Sequence, residues 1–369
     1  VTQAAAESDA GPEPILTSAL VGNRYVLFAN YPAVLRSALA NAQVAELNLE
    51  NSFAYQQALE QFPDPQLGFL YIDLTQPASP LHDLVDLLTA ESEQPVPAGS
   101  RLVAALKPTP QGLLVDAVLL ADRLDLEPSA QLVNASPLLR FMPTRSHLAV
   151  VSQDFSQTWT QWEWLIGSTW QPALKTLQQR FGLPLPENLA AWMQGNFALA
   201  QVADGAASDW VLVTQQSPAT AAGLQELDQL LQDQGMTVGS FQLDDQTVYA
   251  WTKLVPRGAG LEAVVQGVHT RFLDPQTGDY ELLATSLAAL KQALSANLAP
   301  EIQLALSQIR TPNQGYFYFD RAALKQVLSQ QQIKLDPTLL ATIESALLSS
   351  YGKTETGWQG ALLLSLDRS

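Results

Sequence analysis

Two stretches 255 residues apart read nearly alike, and that repetition constrains the fold more than any other feature of the chain. Tyr25–Ala42, YVLFANYPAVLRSALANA, aligns with Tyr280–Asn297, YELLATSLAALKQALSAN, with seven of eighteen positions identical. In each, a short strand-like run (YVLFA, YELLA) precedes apolar residues at helical spacing. Asn30 and Thr285 fall where helix N-caps are expected. The match resumes at GFLYIDL (Gly68–Leu74) against GYFYFDR (Gly315–Arg321), each a strand ending in an aspartate. Helical stretches follow both, LHDLVDLLTA and AALKQVLSQQ. It closes with GLLVDAVLLADR (Gly112–Arg123) against GWQGALLLSLDR (Gly357–Arg368). The offset falls from 255 to 247 to 245, so the differences sit in connections, where length changes are tolerated.

The repeated unit reads as strands and helices in an α+β layer. A different segment lies between the copies. SHLAVVSQDF reads as a strand, and FSQTWTQWEWLIG, QPALKTLQQRF and PENLAAWMQG as helices. NFALAQVA and DWVLVTQQ follow as an antiparallel pair, then the helix ATAAGLQELDQLLQDQG and strands at QTVYAWTKL and LEAVVQGVHTRF. The expected organisation is a flexible or cut end at 1–15, a partial first module at 16–139 and a complete second module at 140–369. The second module comprises a unique front part, 140–266, and the second repeat copy, 267–369. The fold expected is a duplicated module of antiparallel sheets packed with helices, about one and a half copies being present. If the copies are equal, about 115 residues of the first module would precede Val1.

Composition excludes several classes of activity. With 36 acidic against 19 basic residues the net charge is −17, and no Lys/Arg cluster exists to neutralise nucleic-acid phosphates. There is no cysteine, which removes disulfides, thiolate nucleophiles and Fe–S clusters. The acidic balance and lack of thiols lean towards an extracytoplasmic setting. No apolar run is long enough for a spanning helix, and the first residues lack the basic and apolar regions of a signal peptide.

The segments VGNRYVLFANYPAVLRSALANAQ, GFLYIDLTQ, SQDFSQTWTQW…LAAWMQGNFALA and GDYELLATSLAALKQAL resemble a cyanobacterial family known as domain of unknown function 3352. The resemblance covers nearly the whole chain and is carried by structural residues. It implies a longer protein with a hydrophobic anchor near its N-terminus, so the membrane tether would lie in a segment outside this chain. It supplies no active-site residues.

Chemistry-bearing residues are sparse. His82, His147 and His269 lie in three different elements without metal-ligand spacing. No G-x-S-x-G elbow or Walker loop occurs, and GAGLEAVVQG has Ala263 at the third glycine position and precedes a strand. Asp73 and Asp320 read as paired carboxylates or, preferably, as turn or cap residues. Asp274 and Asp279 in LDPQTGDYE read as a solvated hairpin or a Ca²⁺ turn short of ligands. LVPRG (Leu254–Gly258) reads as a loop.

The tryptophans offer the most. Trp159, Trp162 and Trp170 fall at helical spacing, with Trp164 beside them and Trp192 downstream. Such a stripe serves as core, as a partner or membrane-interface surface, or as the wall of a ligand pocket. The expected function is a non-enzymatic extracytoplasmic scaffold that needs no cofactor or metal and holds a protein partner, a membrane complex under assembly. The alternatives are a carrier of a pigment or lipid near the Trp-rich stretch and, third, a hydrolase with a noncontiguous site.

Overall fold

The structure is a computed structural model. It describes residues 16–22, 24–74, 100–120, 131–160, 175, 178, 180, 181, 187–193, 195–204, 207–258, 260–296, 300–330, 333, 335–353 and 357–367. The chain divides into two compact units, Val1–Asp64 and Pro65–Ser369.

In the first unit, β1 (Thr17–Val21) and β2 (Tyr25–Ala29) form an antiparallel hairpin, with Thr17 opposite Ala29 and Val21 opposite Tyr25. Gly22 opens the turn at φ +58°, a conformation that disfavours residues with a Cβ. The helix Pro32–Gln43 lies against both strands and buries Leu35. Its N-cap is Tyr31 rather than Asn30, because Pro32 takes the first helical position, where its fixed φ and missing N–H cost nothing. Two 3₁₀ turns, Ala45–Leu47 and Leu49–Asn51, lead to the helix Phe53–Glu60.

The second unit is built on a thirteen-stranded antiparallel sheet. Its strands are β3 (Gly68–Asp73), β4 (Arg101–Thr109), β5 (Gly112–Leu120), β6 (Ser146–Gln153), β7 (Asn196–Asp204), β8 (Ala207–Gln215) and β9 (Thr237–Leu243). They continue with β10 (Gln246–Arg257), β11 (Gly260–Phe272), β12 (Tyr280–Ala284), β13 (Gly315–Asp320), β14 (Ile343–Lys353) and β15 (Gly357–Leu366). The spatial order is β3-β4-β5-β15-β14-β13-β6-β7-β8-β12-β11-β10-β9. Leu254–Arg257, read from sequence as a loop, belongs to β10: its backbone pairs with Gly260–Ala263 of β11, extending that hairpin.

The central strands are apolar at consecutive positions because both faces of the sheet are covered. One face carries small and branched residues, among them Ala149, Val151, Ala198, Ala200, Val211 and Val213, beneath the helices Leu287–Leu294 and Pro300–Gln308. The other carries Leu148, Val150, Phe197, Leu199, Trp210, Leu212 and Phe317, covered in part by the helix Arg321–Gln330. Further along, the helix Pro218–Asp233 contributes Leu224, Leu227 and Leu231 to a cluster with Trp192, Met236 and Trp251. Ser286 caps Leu287–Leu294 through its hydroxyl, which accepts from the Ala289 N–H at 3.1 Å. Thr285, expected there, instead accepts from the Trp210 N–H and donates to Asp209.

Two three-stranded meanders, β3-β4-β5 and β13-β14-β15, join edge to edge through β5 and β15. Gly112 stands opposite Ser365, Asp116 opposite Ala361 and Leu120 opposite Gly357. The strands approach so closely that a Cβ on Gly112 would lie 2.1 Å from the Leu364 carbonyl oxygen, and one on Gly357 equally 2.1 Å from that of Leu119.

Candidate functional site

The two described tryptophans of the Trp-rich stretch go to different clusters. Trp192 ends the helix Glu187–Trp192 and is buried, its indole lying over Gly223, where the missing Cβ leaves room for the ring. Its carbonyl accepts from the Thr220 hydroxyl at 3.2 Å. Trp159 is half-buried and stacks on Phe155 with centroids 6.1 Å apart, Phe155 in turn meeting Phe197 edge-on. Trp162, Trp164 and Trp170 lie outside the described residues, as does His82.

Titratable side chains gather where β10, β11 and β12 lie side by side. His269 is buried between the rings of Tyr249, 5.0 Å away, and Trp251, 5.2 Å away. Its Nε2 stands 3.5 Å from Asp228 Oδ1, an ion-pair separation rather than a well-formed hydrogen bond. The Trp251 indole N–H donates to the same oxygen at 2.6 Å. Burial pushes the Asp228 carboxyl up, but the contacts with His269 and Trp251 outweigh it and hold the group below its ordinary value. Glu281 is 6% exposed, and burial pushes its carboxyl up to about 7, against the pull of His269 and Arg271.

The other carboxylates serve local structure. Asp320 accepts from the Ala323 N–H at 2.8 Å at the start of its helix and pairs with His147. Asp73, at the aligned position on β3, is separated from it by four strands, so the two cannot act as a pair. Asp274 accepts from Gln276, Thr277 and Arg140, and Asp279 pairs with Arg271, which accounts for the acidic turn without a cation. Among the described residues no three metal-ligating side chains converge.

A cleft of about 330 Å³ opens at the ends of β6, β7 and β8. Gln131, Asn134, Gln153, Asn196 and Gln215 line it together with Tyr280. Its amides offer neutral donors and acceptors, and Thr277, Val133, Pro137 and Leu138 complete the lining. Sequence reasoning missed this set because three strand ends and the segment before Ser136, distant in the chain, bring it together, and no spacing announces it.

The first unit presents a different surface. Along β1 and β2, Thr17, Ala19, Val21, Leu27 and Ala29 share the half-covered face, while Leu20, Val26 and Phe28 point to the other and are 64%, 54% and 66% exposed. Tyr25 is 66% exposed; Tyr280, aligned with it, is 3% exposed and packs against Phe141 with centroids 5.5 Å apart. Val26 aligns with the buried Glu281. The signal was present in sequence: YVLFA is apolar at every position, where YELLA carries a charge.

Fold and surfaces together define an α+β protein of large antiparallel sheets flanked by helices. The chain belongs to the family described as "Protein of unknown function (DUF3352)", whose model matches residues 1–366. No curated protein sequence matches it. Among solved structures it is similar to the chain titled "Structure of crystal form I of TP0453", with 9% identity, 63% of this chain and 79% of that chain covered, and a TM-score of 0.32. Among the described residues no helix is long and apolar enough to cross a membrane.

Proposed function

We propose that the chain is a non-enzymatic binding scaffold of the extracytoplasmic side of a membrane, built on a duplicated module, and that it docks a protein partner on the β1–β2 hairpin. The observation that carries this reading is the exposed apolar face of Leu20, Val26 and Phe28 on a strand pair only five residues long. A contiguous apolar face left exposed on a hairpin that a helix covers only in part is the mark of an interaction site.

The duplication is supported by register. Asp116 and Ala361, aligned with each other at the offset of 245, are also direct partners across β5–β15, as a two-fold relation between copies requires. The mirrored glycine contacts, Gly112 on Leu364 and Gly357 on Leu119, obey the same offset. The acidic balance and lack of thiols suit the proposed compartment. A hydrophobic carrier draws little support from the described cleft, half of whose lining residues are amides.

The test is crosslinking and capture from solubilised membranes with the wild-type chain and with a Leu20→Ser, Val26→Ser, Phe28→Ser variant. The expected result is a stoichiometric protein bound by the wild type and lost by the variant, with circular dichroism unchanged. Capture that is identical for both chains would overturn the reading.

A further inference from the structure

We propose that the amide-lined cleft of the second unit binds a short stretch of an uncharged, linear, β-linked glycan, laid across the ends of β6, β7, β8 and β12. Register builds its floor. Val151, Ala198, Val213 and Leu282 form an apolar row across these four strands, each opposing the next. Two residues further along, on the same face, stand Gln153, Asn196, Gln215 and Tyr280. Gln153 opposes Asn196, Asn196 and Gln215 adjoin the Phe197–Thr214 pair, and Gln215 opposes Tyr280. The apolar face of the sheet therefore ends in a row of three amides, one on each of three neighbouring strands. Among the described residues none of these three side chains has a hydrogen-bond partner. Gln131 and Asn134 line the same cleft from the segment before Ser136. That segment is fixed in advance: Leu132 is buried, and it exchanges both backbone N–H to C=O bonds with Asn313. A wall already in place lowers the ordering cost of binding.

The lining selects the ligand. It contains no charged side chain, so a phosphate, carboxylate or ammonium group would find no counter-charge. Asp274, which accepts from the Thr277 hydroxyl, is already paired with Arg140. Each amide both donates and accepts, which matches a sugar hydroxyl that does the same. Val133, Pro137 and Leu138 supply apolar surface for the C–H face of a ring. Neighbouring strands stand about 4.8 Å apart, close to the step between successive rings of an extended β-linked chain. An extended peptide repeats its outward N–H and C=O groups every two residues, about 6.6 Å, and falls out of step with the row. The volume, about 330 Å³, lies at the small end of ligand pockets and suits a short stretch of chain.

The probe is cellotriose, titrated into the full nitrogen-labelled chain, with glucose and trialanine as comparators. The side-chain amide signals are followed by nuclear magnetic resonance. Those of Gln153, Asn196 and Gln215 should move together and saturate. Glucose spans one amide of the row, so cellotriose should bind about tenfold or more tightly than glucose. Asn196→Ala and Gln215→Ala should each weaken cellotriose binding about fivefold, with circular dichroism unchanged. Gln229→Ala, on the exposed side of the helix Pro218–Asp233, should leave it unaltered. Absence of a saturable shift, equal affinity for glucose and cellotriose, or full affinity in both cleft variants would overturn the proposal. Trialanine binding as tightly as cellotriose would also overturn it, by assigning the cleft to peptide. Because the cleft lies wholly within the second unit, these outcomes leave the docking reading of the hairpin to its own test.

Discussion

Glu281→Gln should make the protein more stable at pH 8 and leave it nearly unchanged at pH 5. The carboxylate is buried on β12, opposite Arg271 of β11 and Thr214 of β8, with the charges of His269 and Asp279 nearby. Burial dominates, so the group ionises at about 7 in the fold against 4.5 ordinarily. A carboxyl whose folded value is raised contributes most stability below its unfolded value. It loses that contribution as pH rises through the folded one, because between the two the native state binds the extra proton. At about 1.36 kcal/mol for each pH interval, the native state is weakened by about 3 kcal/mol once pH exceeds 7. Glutamine keeps the shape and removes the charge. Urea unfolding followed by tryptophan fluorescence should therefore give a variant more stable by about 3 kcal/mol at pH 8, the gap shrinking to about 1 kcal/mol or less at pH 5. A gap that is the same at both pH values, or that favours the wild type at pH 8, would refute the argument that desolvation governs this carboxyl.

Gly223→Ala would place a Cβ 2.3 Å from Cγ and Cδ1 of Trp192, so a loss of about 1–3 kcal/mol and altered Trp192 emission are expected in thermal unfolding. Trp251→Phe keeps the ring beside His269 but removes the donor 2.6 Å from Asp228, costing about 1.5–3 kcal/mol in urea unfolding at neutral pH. Because Asp228 is held below its ordinary value, its contribution is present at neutral pH and lost in acid. The gap between that variant and the wild type should narrow as pH falls, and a widening gap would contradict the assignment.

Much of the local structure was legible in the residues themselves. YVLFA and YELLA announced strands followed by helices because side-chain periodicity reports directly on local backbone geometry. The caps were misplaced by one residue, since proline geometry at Pro32 and the reach of the Ser286 hydroxyl decide the boundary, not the hydrophobic pattern. LVPRG looked like a loop because proline and glycine usually punctuate structure. Its backbone is nonetheless paired at the far end of a long hairpin.

The candidate surfaces were less legible. Apolar residues at Val26 and Phe28 could be read from the string, but not that Tyr280 would be buried by Phe141 while Tyr25 stayed open. Nor could helical spacing say that Trp159 and Trp192 would enter separate clusters.

The sequence by itself determined the α+β character, the helix and strand content of the repeated stretches, the acidic charge and the absence of thiol chemistry. These depend on composition and short-range periodicity. Only the tertiary structure decided that β5 meets β15, that β8 lines β12, that three amides from strand ends and two from the segment before Ser136 face one cleft, and that Glu281 sits where its charge is costly. Each depends on which strand edges pair and in what register, and long-range pairing is chosen by whole complementary surfaces rather than by any local pattern.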